Sequence, residues 1–197
     1  MGCCQMINTN QNIIPKTQYS VTFDQMNIIT NFQRKWTHIA SWTRAFLQAT
    51  IYDLPTLKVV SDKLLGLPQE FYDLFSHFYG TQNAQEFVRL LSNCVMSGMS
   101  ALKGMRNGDQ ELANTSTAQW YKNSDELASF LAKIEIYWDE NTWKDFLYQY
   151  IKLTTDEMIS QMGGNYEQEM AIFQRLEDLS VQMGSYMSRG IIASNKK

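Results

Sequence analysis

Apolar residues recur at spacings of three and four along most of the chain. Phe32, Trp36, Ile39, Thr43, Phe46 and Thr50 make one such row, the period of a helix with one buried face. Trp42, Ala45 and Ala49 widen that face beside His38, as expected of a helix inside a bundle. The row predicts a helix from Thr22 or Asp24 to Tyr52, ended by Asp53-Leu54-Pro55. Two short helices are expected next, over about 56–65 and 69–79. Gly66 and Pro68 separate them, and Gly80 closes the second.

The segment 82–106 holds the longest uncharged stretch of the folded part, Leu90 to Leu102. Its 13 residues fall short of the about 20 that span a bilayer, so no membrane span is expected. It reads as a buried helix, with Phe87, Leu90, Leu91, Cys94, Val95, Gly98 and Leu102 facing inward. Asn107-Gly108 is a turn, and Asp109 is the expected N-cap of a helix to about Lys122. Asn123-Ser124-Asp125 then predicts an interruption, followed by a short helix carrying Leu127, Phe130, Leu131 and Ile134. Asp139 is a second N-cap, with Trp138 and Trp143 at the two positions of a hydrophobic staple. Thr154 and Glu157 have the spacing of a capping box ahead of Met158 and Met162. Gly163-Gly164 breaks the chain. A last helix is expected from Tyr166 to Ile192, facing inward with Tyr166, Met170, Phe173, Leu176, Ser180, Met183 and Met187.

No stretch shows period-two alternation bounded by turn signals. The expected fold is therefore all-α: a bundle of about four long helices, near 22–52, 82–106, 140–162 and 165–192, with short helices between. Residues 21–197 are expected to form a single domain. Residues 1–20, rich in Asn and Gln around Pro15, read as a poorly ordered extension.

The chain has 197 residues, 44% apolar and 19% charged. That is a globular balance, not a disordered one. With 17 basic and 20 acidic side chains the net charge is −3, which offers nucleic acid or an anionic membrane no general attraction. The three cysteines, Cys3, Cys4 and Cys94, include an adjacent pair and an odd member. No disulfide framework follows, and no secretory signal is visible, so a cytoplasmic location is expected. The opening Met-Gly-Cys-Cys resembles an acylation start but carries Met6 where Ser or Thr is wanted.

Catalytic motifs are missing. Gly163-Gly164 lacks the Lys-Ser/Thr of a phosphate loop, and no Gly-x-Ser-x-Gly or Cys-x-x-Cys occurs. Only two histidines are present, His38 and His77, and neither belongs to a Glu-x-x-His pair of the di-iron kind. His77 reads as a surface or helix-terminus residue. His38 lies mid-helix between Trp36 and Trp42. It is either a satisfied core histidine or a ligand contact, since neutral imidazole is a common metal ligand. Its candidate companions are Cys94, Tyr150 and Glu157, each with a plain structural alternative as core thiol, core aromatic and capping acid.

The stretch Trp36-Thr37-His38-Ile39-Ala40-Ser41-Trp42-Thr43-Arg44, a W-x-H-x-x-x-W-T-R motif, resembles a family of small bacterial all-helical proteins. Lys63-Leu64-Leu65-Gly66-Leu67-Pro68-Gln69-Glu70-Phe71, Phe78-Tyr79-Gly80 and the run from Trp120 to Ala128 match as well. So do Tyr137-Trp138, Leu153 to Glu157 and Gly190-Ile191-Ile192. Members of that family often carry names such as acetylglutamate kinase or glycosyltransferase. A kinase of that kind is an α/β protein with glycine-rich nucleotide loops, which this pattern opposes. The resemblance implies histidines where this chain has Cys94 and Tyr150, and with His38 and Glu157 these would form a polar or metal-binding cluster. Two functions are therefore expected. The first is a non-enzymatic module that binds a protein or small ligand and needs no cofactor. The alternative is a metal- or small-ligand-binding bundle, with or without catalysis, that uses a divalent metal ion at His38, Cys94, Tyr150 and Glu157.

Overall fold

A computed structural model describes residues 21–195. The extension expected over residues 1–20 lies outside them. The described residues are helical almost throughout. Helix α1 spans Phe23–Ile51 and α2 spans Leu57–Gly66. A 3-10 turn over Leu67–Phe71 leads into α3, Tyr72–Asn107. Helices α4, α5 and α6 span Gln110–Ile134, Glu140–Met162 and Tyr166–Ser194. The all-α bundle expected from periodicity is present, and no strand occurs among the described residues.

Local signals place most helix ends. Thr22 and Gln25 form a reciprocal capping box that starts α1. The side chains of Asp109, Asp139 and Asn165 accept from the backbone N–H groups of Leu112, Thr142 and Gln168, satisfying donors that a helix start leaves free. Trp138 and Trp143 meet edge to face, with ring centroids 6.0 Å apart, across the start of α5. Inside α3, Gly80 departs from helical geometry at φ +80° and ψ 165°. The expected ends at 79 and 82 are thus two arms of one element.

The long helices run up and down as neighbours. α3 packs along α4, α4 along α5, α5 along α6 and α6 along α1, while α2 and the 3-10 turn fill the gap between α1 and α3. The core between them holds Phe32, Trp36, Phe46, Phe71, Phe75, Phe87, Trp138 and Trp143. The predicted row from Phe32 to Thr50 is buried, as is Ala49, while Trp42 and Ala45 beside it are partly buried. Between Leu90 and Leu102 only Met96 is exposed.

Three expectations are corrected. First, α4 does not break at Asn123-Ser124-Asp125; it is one helix of 25 residues, so the bundle has five long helices. Asn123 and Ser124 face α3, where the Asn123 amide donates to the Asn93 carbonyl at 2.9 Å and to the Ser97 hydroxyl at 3.1 Å. Gly104 lets the two helices meet, because a Cβ there would lie 2.6 Å from the Ala113 nitrogen. Second, Thr154 and Glu157 cap nothing. Both are fully buried in the middle of α5. Third, the inward face at the start of α6 begins with Glu169 and Ile172, whereas Tyr166 and Met170 are exposed.

Candidate functional site

The four predicted residues are divided among three places. His38 is 44% exposed, and its Nδ1 faces the Glu70 carboxylate at 3.8 Å. Glu70 is itself held by Lys63 at 2.6 Å and accepts from Lys35 through its carbonyl. The expectation of a buried His38 is thereby corrected. It sits about 100° around α1 from Ile39, at the edge of the buried arc rather than within it.

Cys94 and Tyr150 do share a surrounding. Both line a cavity of about 40 Å³ in the centre of the bundle, together with Thr43, Ser124, Trp36 and Trp120. His38 is not among the lining residues. The Tyr150 hydroxyl lies 3.1 Å from the Thr43 hydroxyl. Burial pushes the Cys94 thiol up to about 12, against the weaker opposing effect of the Ser124 hydroxyl 4.0 Å away. A thiol held protonated is a poor metal ligand. Burial likewise raises the Tyr150 phenol.

Glu157 belongs to a charged cluster that the sequence reading did not assemble. Arg44 of α1 reaches between α5 and α6, with Nε 3.6 Å from Glu157 Oε1 and Nη2 2.6 Å from Glu169 Oε1. The guanidinium also lies 4.1 Å from the Phe173 ring centroid and 3.1 Å from Met170 Sδ. Burial, the largest influence, pushes the Glu157 carboxyl up to about 8; Arg44 opposes this and Glu169 adds to it. Around the cluster, Thr50 Oγ1, Thr154 Oγ1 and Gln161 Oε1 are buried without hydrogen-bond partners. One signal was available in the sequence. Tyr150, Thr154, Glu157 and Gln161 repeat at four, three and four, a polar stripe at helical period. Glu169 had no such signal, because Met170 beside it completed an apolar row.

Above this cluster, one end of the bundle carries an apolar surface. Tyr52 and Leu54 follow α1, Leu112 starts α4, Ile159 and Met162 end α5, and Tyr166 and Met170 start α6. All seven are exposed. They lie where these helices end or begin: Tyr52 neighbours Tyr166 and Gln161, and Arg106 at the end of α3 donates to the Ile51 carbonyl at 2.9 Å. Ile159 and Met162 line a groove of about 320 Å³ against the α3–α4 turn, with Met105 and Ala113 opposite.

Among the described residues, no three His, Cys, Asp or Glu side chains form a group that could hold a metal ion. No helix of the described residues is long and apolar enough to cross a membrane. Comparison of the chain with protein-family models, with curated proteins and with solved structures finds no match.

Proposed function

We propose that the protein is a non-enzymatic binding module whose working surface is this apolar end, and that its partner is a protein segment with an apolar face and a basic rim. The observation that carries the reading is a groove lined by the exposed Ile159 and Met162, at an end of the bundle where Tyr52, Leu54, Leu112, Tyr166 and Met170 are exposed as well. Contiguous exposed apolar surface of this kind marks interaction sites in soluble proteins. The rim sets the charge of the partner. Asp53, Asp109, Glu111 and Glu167 are all exposed around it, and the nearby Arg106 is engaged with Asp53 at 3.2 Å. A basic flank complements such a rim and speeds encounter.

The interior supports a binding role over catalysis. A cavity of about 40 Å³ admits a water or two, not an organic substrate, whose pockets run to about 300–1,000 Å³. A nucleotide kinase also needs phosphate-binding loops after strands, and no strand occurs among the described residues.

The test uses a synthetic amphipathic peptide with a leucine face flanked by lysines, and a control with glutamate flanks. In NMR titrations the lysine peptide should shift the signals of Ile159, Met162, Tyr166 and Met170, bind more weakly as salt rises, and lose binding to Ile159→Lys and Met162→Lys. Absence of binding, shifts elsewhere, or equal binding of both peptides overturns the reading. Sedimentation of the free protein completes it: self-association abolished by the same substitutions assigns this end to a second copy of the chain instead.

A further inference from the structure

Glu157 of α5 and Glu169 of α6 face one guanidinium. Their side chains are 0% and 4% exposed, and Arg44 is the cation within reach of both. Two carboxylates against one guanidinium would leave a net negative charge in a dry interior, which costs several kcal/mol per uncompensated ion in general. Hydrogen-bond donors are lacking as well. As a carboxylate, Glu157 has no aligned donor for either oxygen. The Glu169 carboxyl lies within hydrogen-bonding reach of it, but two carboxyls can bond each other only when one carries a proton.

We propose that Glu157 and Glu169 share a single proton beside Arg44, and that its loss acts as a pH switch loosening the start of α6 from α1 and α5. With the proton in place the cluster is neutral: one guanidinium, one carboxylate, one carboxylic acid. Without it, like charges oppose each other across the α5–α6 interface. The movable side of that interface is α6, because Glu169 lies in its first turn and Arg44 also contacts Met170 and Phe173 there.

The surrounding groups leave this proton as the variable one. On α5, Tyr150 faces the cluster with a phenol that burial holds protonated, while Asp156 is engaged with Lys152 at 2.6 Å. Tyr52 after α1 neighbours Tyr166 of α6, which raises the Tyr52 phenol. α3 brings Arg106, bound to the Ile51 carbonyl and Asp53, and Lys103, over the Phe46 ring. α4 brings Asp109 and Glu111 at the exposed turn. Burial and Glu169 hold the Glu157 proton up to about 8, against an ordinary value of 4.5. Between those values the folded state binds one proton more than the unfolded state. Stability is therefore fully present below the unfolded value, falls as pH rises through the window, and levels off above the folded value.

Wild type and Glu157→Gln should be unfolded with urea between about pH 5.5 and 7.5, inside that window. Wild type should lose about tenfold in its folding constant per pH unit relative to the variant. His38 and His77 are common to both proteins, so the difference isolates Glu157. Hydrogen exchange of residues 166–173, corrected for intrinsic rates, should speed up above the folded value in wild type and not in the variant. Infrared spectra of wild type alone supply the second measurement: a buried protonated carboxyl band should persist at neutral pH and vanish at about pH 9. No such band, or equal pH slopes in the two proteins, overturns the proposal. If Glu157→Gln fails to fold, the infrared result decides alone. Failure of the docking peptide would leave this outcome untouched.

Discussion

Glu135 and Glu157 are both buried acids, near opposite ends of the bundle, and their surroundings differ in one countable respect. Glu135 follows α4 and is 4% exposed. It accepts from the Tyr79 hydroxyl at 3.0 Å, the Tyr137 N–H at 3.1 Å and the Ser194 hydroxyl at 2.6 Å. Around it Trp138 donates to the Met187 carbonyl at 3.1 Å and packs against Phe75, Tyr79 and Trp143. Glu157 has a guanidinium at 3.6 Å and a second acid, with no aligned donor. Burial by itself distinguishes neither. The number of donors aimed at the carboxyl separates a structural clasp from a group with chemistry left to do.

This contrast can be broken at several points. The largest effect is expected at the satisfied end. Trp138→Ala should lower the unfolding free energy by about 3–5 kcal/mol, measured in urea, because it opens a void among aromatic rings and removes the indole bond to the Met187 carbonyl. Arg44→Met should cost about 3 kcal/mol near pH 8 and less near pH 5, where the carboxyls can take up protons. Adding Glu157→Gln and Glu169→Gln to it should restore most of the loss. If the triple variant is no better than Arg44→Met, the carboxyls are not what Arg44 balances. Glu135→Ala should cost about 1–3 kcal/mol by leaving three donors without their acceptor. The smallest effect belongs to His38→Ala, within about 0.5 kcal/mol, since its partner is distant and half its ring is in water. A larger loss, or stoichiometric metal by elemental analysis that disappears in this variant, would reinstate His38 as a ligand.

Helix starts were legible because they depend on neighbours in sequence. Thr22, Asp109 and Asp139 each bond a backbone group three residues on. The face of α1 was legible for the same reason, since period alone specifies it. What failed depended on partners from elsewhere. Asn123-Ser124-Asp125 has turn-forming composition, but α3 supplies the Asn93 carbonyl and the Ser97 hydroxyl, and the helix continues. Thr154 and Glu157 carry the spacing of a cap, a spacing that any buried helical stripe also has. Tyr166 and Met170 read as core because apolar residues at helical period usually are. Here the apolar side chains lie outside and the acid lies within, so the register failed where the molecule carries its candidate chemistry. Cys94 and Tyr150 were correctly expected to face inward, yet nothing in the sequence could say that His38, on a neighbouring arc of α1, turns to Glu70 instead.

The approach of α6 to α1 has a mechanical consequence. At Gly184 the two backbones nearly touch: a Cβ there would lie 2.5 Å from the Gln33 backbone, and the Gln33 amide ties to the Ser185 hydroxyl at 2.9 Å. Such a contact is a fulcrum. From it α6 extends about 22 Å to Glu169 and about 15 Å to Ser194, at about 1.5 Å per residue. The Glu169 arm is the longer, and the Ser194 arm is pinned to Glu135. A tilt of about 5° would therefore move the free arm by about 2 Å over the same lever length, enough to part Arg44 from Glu169 while the fulcrum stays closed.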